Sequence, residues 1–346
     1  MVYRFIVRFS CSRLQIYDTT QHYIKHKNNV IISILGGAIM KIQSSLHTKN
    51  AYTIEFIAKY FIQANIGDRI LTISQFEELV DVARGTIQNS IKILSSVGAI
   101  SLESRGQLGT YLRQKNNKIL LKYAGISFLI GVMPLPYSII YEGLSTAILY
   151  TMENELGIPV NMAYMRGAQR RIQMVLNERY DFAIISKFAA NHYIESNQNI
   201  SVITEFEPGS YLSEHVLIFG SKDKNSIEDG MRIGIDYDSI DQSLLTKEVC
   251  KNKSVEYIHV SYTHLIDKLK TGEIDATVWN GDELESTMDD IHTVTLPLKD
   301  NTNTIAVVII NSQRHELHRI LTDLIDQDEV IRIQQQVING DIIPSY

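Results

Sequence analysis

The apolar residues that follow Ala51 recur at helical spacing. A first helix is predicted from about Ala51 to Gly67, because its apolar positions lie three or four residues apart. Those positions are Ile54, Ile57, Ala58 and Phe61. A short second helix is predicted to begin at Thr72, and a third to run from about Arg84 to Val97.

Two short β-strands are predicted directly after the third helix. Ala99–Leu102 and Thr110–Leu112 flank a glycine-rich stretch, 105–109, that is typical of a hairpin tip. Three helices followed by such a hairpin predict a winged helix-turn-helix, which we place at 45–115.

The third helix has one apolar and one polar face. A recognition helix needs this division, because one side packs on its domain while the other offers donors to bases and phosphates. An ordinary amphipathic surface helix is the alternative. The candidate DNA-binding residues are Arg84, Thr86, Gln88 and Lys92 on this helix and Arg105 at the wing.

Strands and helices alternate in the rest of the chain. A polar stretch, 116–118, is predicted to be the linker before this part. The pattern predicts parallel sheets covered by helices, in two α/β units at 123–203 and about 213–292. The predicted strands are 128–132, 160–164, 182–185, 231–235, 255–260, 275–279 and 304–310. A closing helix is predicted for 315–339, and we assign 123–346 to one two-lobed α/β domain.

The distribution of charged residues also distinguishes the predicted winged helix-turn-helix from the predicted α/β domain. Residues 40–122 hold eleven basic and six acidic side chains, whereas 123–346 hold 17 basic and 32 acidic ones. A basic front end on an acidic body favours a nucleic-acid-binding module joined to a domain that does not touch nucleic acid. Residues 1–39 show no period and are expected to be a poorly ordered extension. The longest apolar run, Val30–Met40, has 11 residues, too few for a membrane-spanning helix, so no membrane partner is expected.

Polar and glycine residues follow several predicted strands of the acidic body. In open α/β sheets, ligands bind outside the carboxyl ends of the strands. Helices are predicted to begin at Ser138 and Gly167, and helix N-termini favour anions. Arg166 could add a grip on a carboxylate or phosphate, or it could merely pair with a surface acid. The candidate ligand-binding residues are Pro136, Tyr137, Ser138, Arg166, Gly167, Ser186, Asp236 and Asn280.

The helix-turn-helix residues resemble those of the GntR-type winged-helix regulators. The resemblance lies in the stretches 82–87, 91–94, 98–100 and 105–111. It implies DNA binding, and a homodimer on a two-fold operator is expected. Two departures matter: the stretch 71–74 lacks the arginine of the family's Pro-Ser-Glu-Arg entry, and Gln88 stands where arginine is usual.

The acidic body resembles the type II periplasmic-binding-protein fold, in which two α/β lobes clamp a ligand between them. The stretches 167–186 and 268–278 carry this resemblance, and crossings between the lobes are expected near 204–214 and 293–304. With the winged helix in front, the whole chain resembles the YhfZ-type regulators. The expected function is that of a cytoplasmic, DNA-binding transcriptional regulator that senses a small anionic effector.

Two rival functions share the same α/β body. A solute-binding receptor of a transporter would need export, and the predicted winged helix argues against it. An enzyme would need a catalytic acid–base pair, which the acids at the strand ends do not indicate. The sequence holds no P-loop, G-x-G-x-x-G or G-x-S-x-G motif, and its two cysteines lie far apart. No cofactor, metal or catalytic residue is therefore expected.

Overall fold

The computed structural model describes residues 49–156, 158–196, 198–284, 291–296, 298 and 300–346. The expectation for residues 1–39 lies outside the described residues. The predicted winged helix-turn-helix elements are present as helices α1 (Lys49–Gln63), α2 (Ile73–Leu79) and α3 (Arg84–Ser96) and strands β1 (Ile100–Ser104) and β2 (Thr110–Lys115).

Local chemistry explains where these elements begin and how they pack. Thr72 and Gln75 form a capping box at the start of α2, so two backbone N–H groups are satisfied there. Ile57 and Phe61 on α1 are fully buried. β1 and β2 pair antiparallel and form the wing.

The predicted linker at 116–118 is wrong. The Asn116 side chain accepts the Ile119 N–H and caps a further helix, α4 (Asn117–Tyr123). Leu120 and Leu121 of α4 are fully buried. The winged helix is therefore connected to the α/β body through a capped helix, α4, and not through a flexible loop.

The α/β body alternates strands and helices through two lobes. The first lobe contains β3 (Leu129–Met133), α5 (Ile139–Leu156), β4 (Val160–Tyr164), α6 (Ala168–Leu176), β5 (Phe182–Ser186), α7 (Lys187–Glu195) and β6 (Ile200–Glu205). The second contains β7 (His215–Phe219), β8 (Arg232–Ile235), α8 (Ile240–Val249), β9 (Glu256–His259), α9 (Leu265–Lys270), β10 (Ala276–Asn280) and β11 (His292–Thr295). The chain then returns to the first lobe with β12 (Ala306–Asn311), α10 (His315–Leu324) and α11 (Gln327–Ile338).

Both sheets share one strand order. The first sheet is ordered β4-β3-β5-β12-β6 and the second β9-β8-β10-β7-β11. In each sheet the antiparallel strand is the one that has just arrived from the other lobe, β12 in the first and β7 in the second. A winged helix-turn-helix followed by a two-lobed, twice-crossed α/β domain of the type II periplasmic-binding-protein kind is the fold class that the sequence predicts, and it is confirmed.

The closing segment differs from the single helix predicted for 315–339. It forms two helices, because Asp326 accepts the Glu329 N–H and begins α11 after α10 has ended. The Gln334 amide of α11 donates to the Ile140 and Ser210 carbonyls, which anchors it on the first lobe. α7 and the strands β6, β7 and β11 were not predicted. Within the described part of the chain, no helix has both the length and the apolar character needed to cross a membrane.

Candidate functional site

A cavity of about 310 Å³ lies between the two lobes. Its wall comes from segments that follow β3 and β4 in the first lobe and β8, β9 and β10 in the second. The carboxyl ends of the parallel strands therefore meet at one cleft, which is where open α/β sheets bind ligands.

Five of the eight candidate ligand residues line this cavity, and three do not. Those that do are Tyr137, Arg166, Gly167, Asp236 and Asn280. Pro136, Ser138 and Ser186 are absent from its wall. The two serine hydroxyls fold back onto their own helices, where they accept the N–H groups of Tyr141 and Ala189.

Arg166 connects the two lobes. Its Nη2 lies 3.2 Å from Oδ2 of Asp236, and its Nη1 donates to the Ser261 hydroxyl at 3.2 Å. The Asp236 side chain is only 2% exposed, whereas Arg166 keeps 35% of its side chain exposed. Asp236 also accepts the N–H groups of Asp238 and Tyr262. The carboxylate of this ion pair is therefore buried, and both of its oxygens accept hydrogen bonds.

Further polar contacts cross the cleft beside this pair. Arg170 pairs with Asp238 at 3.2 Å, with both side chains largely exposed. The Ser186 hydroxyl donates to Asp241 Oδ1 at 2.6 Å. At Gly167, where φ is +79°, a Cβ atom would lie 2.8 Å from the Asp238 carbonyl oxygen. The lobes are thus in close contact along one side of the cavity.

Buried Arg171 and half-buried Asp241 place opposite charges in the cavity wall. Arg171 is 3% exposed and donates to the Met165 carbonyl and the Tyr211 hydroxyl. Burial raises the pKa of Asp241 to about 6, against the opposing effects of the Ser186 hydrogen bond and the Arg171 charge. The two opposite charges compensate each other in part.

Glu283 lies where the cavity meets aromatic side chains. Burial raises its pKa to about 7, although the Asn280 amide, which donates to it at 3.2 Å, and the Tyr262 hydroxyl favour its charged form. The Tyr262 ring stacks on Trp279 with a centroid distance of 4.1 Å. His215 also lines the cavity, and burial lowers its pKa to about 4, so it is neutral near pH 7.

Sequence reasoning missed much of the wall. Several missed residues lie within the first turns of helices that follow the strands, and others follow β9, whose carboxyl end was not considered. The missed charged and aromatic residues are Tyr141, Arg170, Arg171, Tyr211, His215, Asp238, Asp241, Tyr262 and Glu283. For all but Tyr211 and His215, a position after a predicted strand was a usable signal. Whether these residues share one cavity depends on how the lobes close.

The polar face of α3 is exposed. Ile87, Ser90 and Leu94 are buried on its other face. The candidate side chains Arg84, Gln88 and Lys92 are exposed and Thr86 is half-buried, so the helix offers three donors to solvent along one side.

The wing carries its own cluster of arginines. Arg105 donates to Glu103 at 3.1 Å and its guanidinium lies 4.5 Å from the Tyr111 ring centroid. Arg113 pairs with the same glutamate at 3.2 Å. Arg69, which the sequence analysis did not single out, lies against the hairpin, since a Cβ atom at Gly109 would come within 2.5 Å of its Nε.

The structure offers no prepared metal site in the part of the chain that it describes, where no three His, Cys, Asp or Glu side chains are grouped to hold an ion.

Two family models match separate parts of the chain. The model of the YhfZ C-terminal domain matches residues 116–346, and a helix-turn-helix domain model matches residues 65–112. An 81-residue stretch is 28% identical to the global transcriptional regulator CodY of Bacillus velezensis, covering 23% of this chain and 31% of that protein.

Two relatives match over most of their own length. The YhfZ protein of Escherichia coli is 32% identical over 303 residues, which cover 86% of this chain and 98% of that protein. The crystal structure of YhfZ from Shigella flexneri has 32% sequence identity and a TM-score of 0.58, covering 66% of this chain and 98% of that one. The chain belongs to the YhfZ family.

Proposed function

We propose that this chain is a DNA-binding transcriptional regulator whose two-lobed domain binds a small effector. The observation that carries the proposal is the presence, in one chain, of a winged helix with an exposed polar face and of a charged cavity between two lobes. The helix-turn-helix match and the similarity to a global regulator support the first half.

The winged helix binds its operator in the manner of the GntR-type regulators. Arg84, Thr86, Gln88 and Lys92 enter the major groove with α3, and Arg105 follows from the wing. Two copies form a homodimer on a two-fold site, as expected for a helix-turn-helix regulator. Such a protein acts in the cytoplasm, and its α/β body binds a ligand without transforming it.

The effector carries an anionic group that is held at Arg166. Asp236 and Ser261 each engage one terminal guanidinium nitrogen, so the anion approaches the remaining N–H groups and competes with that carboxylate. Tyr137, Gly167 and Asn280 complete the contact surface from both lobes. Ser138 and Ser186 hold the cavity wall in place through the starts of α5 and α7.

Binding changes how firmly the lobes are closed. A ligand that contacts both lobes binds the closed arrangement more tightly than the open one and shifts the population toward it. In a homodimer this closure alters the spacing of the two winged helices and hence the affinity for the operator.

Native mass spectrometry of the full chain tests the proposal. A co-purified small molecule gives the mass of the effector, and the same spectrum gives the number of chains. Calorimetry with that molecule is then repeated on Arg166→Ala and on the control Arg332→Ala, whose exposed side chain pairs with Glu329 and does not line the cavity. We expect Arg166→Ala to cost about 2–5 kcal/mol of binding free energy and the control much less. Unchanged affinity in Arg166→Ala contradicts the anion contact.

A further inference from the structure

The charged groups in the cavity wall do not all have a partner. Among the described residues, seven charged side chains line it, three arginines and four acids. Arg166 and Arg170 are paired with Asp236 and Asp238. Arg171 is buried, Asp241 is half-buried, and their charges offset each other in part. This leaves Glu283, to which no ion-pair partner is assigned among the described residues.

Two neutral donors contact the Glu283 carboxyl, and the neighbouring Asp282 adds a second negative charge. The Asn280 amide donates to it at 3.2 Å, and the Tyr262 hydroxyl adjoins it. Among the described residues, the Arg166 guanidinium is the only positive charge that acts on it noticeably, and its effect is smaller than those of the two neutral donors and of Asp282. His215 adds no charge near pH 7, because burial keeps its imidazole neutral.

Aromatic rings enclose the same part of the cavity. Tyr262 is hydrogen-bonded to Glu283, and Tyr141 lines the same cavity as both of them. Tyr141 packs edge-to-face with Tyr211 at a centroid distance of 5.2 Å, and Tyr262 is held flat against Trp279. Faces of tyrosine rings attract cations, and that attraction grows where water is excluded.

We propose that this corner of the cavity, formed by Glu283, Tyr141 and Tyr262, is a subsite for a positively charged group of the effector. The inference rests on the proposed function, because it assigns a second contact within the same effector cavity. Together with the anionic group at Arg166, it makes the effector a small zwitterion, such as a compound with one ammonium and one carboxylate group. A cavity of about 310 Å³ suits a molecule of that size.

The burial of Glu283 supports the same conclusion. A carboxyl group withdrawn from water without a cation is costly to ionise, which is why its pKa is raised to about 7. A bound ammonium would supply the missing charge and favour the carboxylate. The neutral donors already present orient the carboxyl group without neutralising it.

Trp279 offers a local reporter for the test. It is the only tryptophan of the chain and stacks directly on Tyr262. Its fluorescence in the full chain is titrated with methylammonium chloride and, separately, with sodium acetate, with sodium chloride holding the ionic strength constant. The test variant is Glu283→Gln, which removes the charge and keeps the shape. The control is Glu214→Gln, which makes the same change at an exposed residue that packs near Gly281 and does not line the cavity.

We expect saturable binding of methylammonium to the wild type and to Glu214→Gln, with affinity about tenfold or more lower in Glu283→Gln. An acetate response without a methylammonium response, or a methylammonium response that survives Glu283→Gln, overturns the cation subsite and leaves the effector cavity standing. No saturable response to either ion contradicts both the subsite and the proposed effector site.

Discussion

Arg166 and Asp236 face each other across the cleft, with 3.2 Å between Nη2 and Oδ2. Arg166 follows a strand of one lobe, and Asp236 follows a strand of the other. Arg170 and Asp238 make a second ion pair across the cleft at the same distance. The two pairs differ in burial, because the Asp236 side chain is 2% exposed and that of Asp238 is 70% exposed. Because of this difference in burial, mutations can separate the contributions of the two ion pairs to the stability of the protein.

Arg166→Ala should destabilise the folded protein more than Arg170→Ala does. Removing Arg166 leaves the Asp236 charge buried, which costs about 1–3 kcal/mol, whereas an exposed pair contributes at most about 1 kcal/mol. Chemical denaturation of the two variants gives both values. Equal losses would show that the burial of Asp236 does not strengthen the contact.

Gly167→Ala should hold the lobes apart. The added Cβ atom would lie 2.8 Å from the Asp238 carbonyl oxygen, so the two segments must separate. Gly230→Ala is the matched control, because Gly230 has a similar φ of +83° but no atom within 4 Å of the added Cβ. Small-angle X-ray scattering should show a larger radius of gyration for Gly167→Ala only. An increase in both variants would assign the effect to backbone strain.

Glu283→Gln should stabilise the protein in a pH-dependent way. Folding raises the pKa of Glu283 from 4.5 to about 7, so the folded state binds more protons than the unfolded state over that interval. Stability contributed by this group is therefore lost as pH rises from about 4.5 to about 7. Glutamine has no charge to bury.

The variant should exceed the wild type by on the order of 1 kcal/mol at about pH 8 and match it at about pH 4. Denaturation at the two pH values measures this, with the exposed Glu214→Gln as control. A stability difference that is the same at both pH values would show that Glu283 ionises as freely in the folded chain as in the unfolded one.

Glu103→Gln should increase DNA affinity. Glu103 engages both Arg105 and Arg113, so DNA phosphates must compete with it for the wing arginines. Removing its charge should raise affinity severalfold and steepen the salt dependence, because more phosphate contacts form. Glu78→Gln controls for the overall charge, since Glu78 is exposed on α2 and has no assigned ion pair among the described residues. Equal gains in both variants would exclude a specific release of the wing arginines.

The sequence was enough to predict that the ends of β3, β4, β8 and β10 face the cleft, but not that the end of β9 does, nor which side chains pair there. Arg166 and Asp236 each follow a strand with a clear apolar pattern, so both were candidates before the structure was known. Their pairing spans 70 positions and depends on the closure of two lobes joined by two crossings. Local sequence patterns do not predict a contact between residues so far apart in the chain. Ser138 and Ser186 could not be assigned from the sequence for a different reason. A serine at a helix start can serve equally well as a cap or as a ligand contact.

Local rules also explain two errors in the fold. Asn116 was read as part of a polar break, yet it caps α4, whose Leu120 and Leu121 find partners elsewhere in the chain. Asp326 was read as part of a continuous helix, yet its cap divides α10 from α11. At both positions the polar side chain is compatible with the predicted structure and with the observed one, and tertiary packing decides which of the two forms.

The most direct test of the regulator account is a genome-wide selection of DNA fragments by the full chain, followed by sequencing. The test variant is Arg84→Ala/Lys92→Ala on the exposed face of α3, and the matched control is Lys118→Ala/Lys122→Ala, which removes two exposed charges from α4. The account predicts that the wild type and the control enrich the same few sites with two-fold symmetry, and that the α3 variant enriches none of them. The absence of any enriched site for the wild type, or the same sites for the α3 variant, would contradict it.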